Sequence, residues 1–115
     1  MCEGSGMLSS DELMLNLLKF ALVREGISNN NYYISNEDRE ILRFGINECV
    51  ICIAKYKGKW AVCNQSDRYN ILGLAVHDDI GSACEDFWYR CLNSNGFYKH
   101  ITAWERSTGL ELRID

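Results

Sequence analysis

Glu48-Cys49-Val50-Ile51-Cys52-Ile53-Ala54-Lys55-Tyr56-Lys57-Gly58-Lys59-Trp60-Ala61-Val62-Cys63-Asn64 is the stretch that decides the fold. Val50, Ile51 and Ile53 bring the β-branched bulk that suits a pleated strand. Cys52 and Ala54 fill the remaining apolar positions, so 48–56 is predicted as a strand apolar on both faces and central in its sheet. Lys57-Gly58 marks a tight turn. Lys59 to Asn64 then returns antiparallel, which makes the whole stretch a β-hairpin.

Downstream, Gln65 to Asn70 is a polar loop. Ile71 to Val76 is a third strand, weakened by Gly73. Asp78-Asp79 opens a helix that runs to about Leu92, because aspartates suit the positive end of a helix dipole. Ile80, Ala83, Cys84, Phe87, Trp88 and Cys91 recur at helical spacing and define its apolar face. Asn93 to Gly96 ends it. In the tail, Phe97, Ile101 and Trp104 fit a short helix, and Leu110, Leu112 and Ile114 alternate as in a last strand.

Upstream, Ser9-Ser10-Asp11-Glu12 holds a Ser-x-x-Glu capping box. A helix is expected from Ser10 to Glu25, with Leu13, Leu17 and Phe20 inward and Glu12, Asn16 and Lys19 wet. Gly26 supplies its C-terminal cap. Tyr32 to Ser35 reads as a short strand, and Asn36 to Phe44 as a short helix capped by Ser35 or Asn36. Helix, meander, helix predicts an α+β fold: a small antiparallel sheet of three to four strands with helices packed on one face. Residues 1–115 form one domain, with 1–8 expected as a flexible lead-in.

A chain of 115 residues that is 47% hydrophobic and 24% charged can bury a core without staples. Its net charge of -4 and scattered Lys and Arg argue against direct nucleic-acid binding. The start of the chain carries neither a basic nor a long apolar signal segment, and Leu13 to Val23 is too short to span a bilayer. The expectation is a cytoplasmic protein with no membrane partner. Six cysteines are then best read as free thiols.

Cys49-x-x-Cys52 has the spacing of a zinc or redox pair, but no second pair completes a zinc site. Positions three apart on a strand point to opposite faces. Cys84 and Cys91 share the inner face of the second helix, and clustering with Cys63 would still lack a histidine at ligand spacing. His77-Asp78-Asp79 suits a strand end followed by a helix cap. No phosphate loop, nucleophile elbow or His-Glu-x-x-His is present. No catalytic residue, cofactor or metal ligand is assigned.

What remains is surface. Asp78, Asp79, Glu85 and Asp86 lie within about two turns of one helix. With Asp67, Arg68 and Tyr69 of the preceding loop, and Tyr89, they form the candidate docking surface. Tyr69, Tyr89 and Trp104 are candidate aromatic anchors, though Trp104 equally suits the core.

Gly58-Lys59-Trp60-Ala61-Val62, the Ser66-Asp67-Arg68 loop, and Ser82-Ala83-Cys84-Glu85-Asp86-Phe87 early in a helix follow one another between Tyr56 and Leu92. This third of the chain resembles small immunity proteins of bacterial polymorphic-toxin and contact-dependent growth inhibition systems. Such proteins often carry Gly after the Arg, where Tyr69 stands here. The resemblance implies a non-catalytic cytoplasmic protein that occludes a cognate toxin domain, a basic one such as a nuclease being the best complement to an acidic surface. Two other readings stay open: a small enzyme or ligand-binding protein with an unrecognised pocket, and a module that self-associates through a sheet edge or helix face.

Overall fold

Lys57 and Gly58 both take positive φ, 49° and 79°. That is the type I′ turn whose twist matches two antiparallel strands. The hairpin it closes is the centre of the sheet in a computed structural model that describes residues 9–40, 50–66, 71–94 and 96–112. Strand β2 (Val50–Tyr56) pairs antiparallel with β3 (Lys59–Gln65), from Tyr56 opposite Lys59 to Val50 opposite Gln65. Strand β4 (Ile71–His77) pairs antiparallel on the far side of β3. The fourth strand, β1 (Tyr32–Arg39), lies parallel to β2, and the sheet order is β1-β2-β3-β4.

The fold is therefore α+β, with a mixed sheet rather than one antiparallel throughout, because β1 joins β2 in the same direction. The pairing also overrides the helix expected from Asn36. Asp38 and Arg39 pair with Lys55 and Tyr56, and the Asp38 carboxylate accepts the Gly58 N–H at 3.1 Å. Residues 41–44 of that expected helix lie outside the described residues, as do the 1–8 lead-in and Ile114.

Helix α1 (Ser10–Arg24) starts at its capping box, with Ser9 Oγ accepting the Glu12 N–H at 3.1 Å and Glu12 reaching back to Ser9. Helix α2 (Ile80–Leu92) is capped by Asp79. A 3₁₀ turn (Phe97–His100) leads into α3 (Ile101–Thr108). Residues 109–112 form no strand, and Leu110 and Leu112 pack against the core from irregular backbone.

The sheet has two faces of different character. Ile53, Trp60 and Val62 point toward the helices and meet Leu17, Leu18, Leu22, Phe87, Trp88, Phe97 and Trp104, all buried. Val50, Cys52, Ala54 and Cys63 point the other way into a second cluster flanked by Tyr33 and Ile71. Among the described residues all three α-helices lie on the first face. No helix among them is long and apolar enough to cross a membrane.

Candidate functional site

The acidic patch expected on α2 is largely spoken for by the fold. Asp79 accepts from Ser82 N at 2.8 Å and Ser82 Oγ at 3.0 Å, and those bonds hold its carboxyl below the usual value. Asp78 is exposed and lies 3.0 Å from Lys59 Nζ. Asp86 sits between Arg90 Nε, at 2.8 Å, and His77 Nε2, at 2.9 Å. Arg90 Nη1 continues the network to Asn64 Oδ1 at 2.8 Å. The network ties α2 to both β3 and β4, so His77 and Asp86 clamp helix to sheet. Glu85 and Tyr89 remain on the outer side of α2, one turn apart and exposed. Asp67, Arg68 and Tyr69 lie outside the described residues.

Trp104 is no surface anchor. It is fully buried, and its Nε1 donates to Asn16 Oδ1 at 2.9 Å, joining α3 to α1. A second polar node joins the 3₁₀ turn to the end of α1. Glu25 Oε2 lies 2.9 Å from His100 Nε2 and 3.2 Å from Lys99 Nζ, and both bonds lower the Glu25 pKa.

The cysteines divide between the two faces of the sheet. Burial pushes up the Cys84 thiol, and it pushes Cys91 up to about 12. Cys52 and Cys63 stand directly opposite each other on the second face, both fully buried. Cys49, the other half of the C-x-x-C spacing, lies outside the described residues. No group of three or more His, Cys, Asp or Glu among the described residues is placed to hold a metal ion.

Open grooves among the described residues flank the sheet, and two are well defined. One, of about 340 Å³, runs between α1 and β1 and is lined by Glu12, Asn16, Lys19 and Asn36 among others. The other, of about 380 Å³, lies over Val50, Ile51, Asn64 and Leu72. Among the described residues neither lining contains a cysteine or histidine, so none of them joins a thiol or imidazole there to a candidate acid or base.

The sequence reading expected a strand at Ile71 to Val76 but missed its exposed place at the edge of the sheet as β4. The strand closes one side of the sheet order, so its outer backbone edge has no strand beside it among the described residues. Leu72, Leu74 and Val76 along it are 56%, 47% and 46% exposed, three of the five exposed large hydrophobic side chains among the described residues. Ile-Leu-Gly-Leu-Ala-Val-His contains no Lys, Pro or charged residue, the usual protections of an edge. One irregularity interrupts it: Gly73, at φ 60°, bulges with Leu74 opposite Cys63. A glycine in this left-handed conformation is the signature of a G1 bulge. The bulge shifts the alternation: Leu72 lies with its partner Asn64 on the helix side, Leu74 and Val76 lie on the other face, and Tyr89 of α2 adds a 49% exposed aromatic.

No family model, curated protein or solved structure matches the chain.

Proposed function

We propose that this chain is a non-catalytic, immunity-type inhibitor that binds a cognate toxin domain and occludes an essential surface of it. The observation that carries the reading is β4, an edge strand among the described residues, interrupted only by the Gly73 bulge and bearing three exposed aliphatic side chains. An edge of this kind accepts a strand from another chain. Main-chain hydrogen bonds supply affinity, and side chains of the row supply specificity. Apolar surface of this sort on a small protein marks an interaction site. Glu85 and Tyr89 extend it onto α2, with one free carboxylate for a basic partner and one aromatic for its centre. The resemblance of 56–92 to immunity proteins supplies the class of partner.

The test is co-expression with the product of the adjacent toxin-like open reading frame. A stable complex and restored growth are expected. Leu74→Lys and Val76→Lys together should abolish both while leaving the inhibitor folded by circular dichroism. A complex that forms unchanged with the double variant would remove β4 as the contact, and absence of any complex or rescue with the unaltered chain would refute the function.

The same edge favours one second reading, self-association. Two copies of β4 can pair antiparallel about a two-fold axis with no charge opposed to like charge. A monomer in light scattering at high concentration would reject it.

A further inference from the structure

We propose that Cys52 and Cys63 form a peroxide-responsive dithiol, a modification site that closes to a cross-strand disulfide and reopens on reduction by thiols. The two residues are direct partners in the β2–β3 register and are both fully buried. Directly opposite residues of an antiparallel pair have Cα atoms about 4.5 or 5.5 Å apart, depending on their place in the ladder. Both spacings fall in the range a disulfide spans, roughly 4.4–6.8 Å. Both side chains lie on the same face of the sheet and belong to one buried cluster.

The surroundings do not set the two thiols apart: both are buried, and each has one arginine charge acting on it, Arg90 on Cys63 and Arg39 on Cys52. Either can attack and the other resolve. Burial shuts out bulky disulfide oxidants, so the oxidant must be a small hydroperoxide, admitted by local opening of the sheet. The thiolate of one attacks one peroxide oxygen and breaks the O–O bond. This gives a sulfenic acid, and the departing hydroxide takes up a proton to become water. The other thiol then attacks that sulfur, loses its own proton and expels a second water. Two thiols and one hydrogen peroxide become one disulfide and two waters.

No other pair of described cysteines can do this. Cys84 and Cys91 are seven residues apart on one helix, about 10 Å along its axis. They also lie on the opposite face of the sheet, in the helix-packed core.

The test is a peptide map of the full chain after exposure to hydrogen peroxide, alkylation of the remaining thiols and tryptic digestion. Peptides 44–55 and 60–68 should be recovered as one linked species, lighter than their sum by two hydrogens, and dithiothreitol should separate them. Cys49 shares a peptide with Cys52, so the Cys49→Ser chain should give the same link and the Cys63→Ser chain should lose it. Unlinked peptides, oxygen addition in place of the link, or a link that disappears with Cys49→Ser would each overturn the proposal.

Discussion

Replacing Asp86 by alanine decides whether that carboxylate holds the fold together or waits for a partner. In the structure it receives Arg90 Nε at 2.8 Å and Nη2 at 3.4 Å and lies 2.9 Å from His77 Nε2. A hydrogen bond to a charged group contributes about 1.5–3 kcal/mol. The side chains of Asp86, His77 and Arg90 remain 22%, 23% and 19% exposed, so water recovers part of what is lost. The contacts also share one acceptor and do not add independently. The expected cost is about 2 kcal/mol. With a urea slope of roughly 1–3 kcal/mol per molar for a small domain, the midpoint should fall by about 1 M. Trp60, Trp88 and Trp104 are all buried, so fluorescence reports the transition. Glu85→Ala, exposed on the same helix, is the control and should stay within about 0.5 kcal/mol. If Asp86→Ala unfolds at the same urea concentration as that control, the clamp does not exist.

Three further outcomes follow from the same geometry. Asp79→Ala removes the N-cap of α2 and should cost about 1 kcal/mol at neutral pH in urea melts. The Asp79 carboxyl is held below its ordinary value of 3.8, so its contribution is complete above that pH and lost as pH falls through the lowered value; the gap between the variant and the parent should close in acid. Gly73→Ala forces a side chain into left-handed backbone at a cost of about 1–2 kcal/mol. Its Cβ would meet Arg90 Nη1 at an ordinary 3.5 Å, so amide exchange should quicken in β4 without a crystallographic shift of Arg90. Trp104→Phe loses the bond to Asn16 and should cost about 1 kcal/mol in thermal melts, against about 3–5 for Trp104→Ala, which also opens a cavity.

One piece of the proposed redox pair was legible from the start and went unread. Cys52 lies five residues before Lys57 and Cys63 five after Gly58, so a two-residue turn there must place them opposite each other. The C-x-x-C spacing drew attention to Cys49 instead, although a strand sends such a pair to opposite faces. Of the proposed docking surface, Glu85 and Tyr89 were found by their helical phase. Asp79 and Asp86 were assigned to the same surface, with Asp79 also as a helix cap, whereas the structure engages them with Ser82, His77 and Arg90, partners that only the fold brings together.

The sequence alone determined the local elements: the I′ hairpin from Lys57-Gly58, the capping box at Ser9, and the apolar stripe of α2. Each depends on neighbours within about ten residues, where backbone sterics and side-chain periodicity act directly. Only the tertiary structure decided strand order and direction. The parallel union of β1 with β2 turned a polar segment that looked helical into strand, since ladder pairing outweighs weak local propensity. The same order left Ile71–His77 at the edge. An apolar run reads alike in the middle or at the side of a sheet, and only its neighbours decide whether Leu72, Leu74 and Val76 face protein or water.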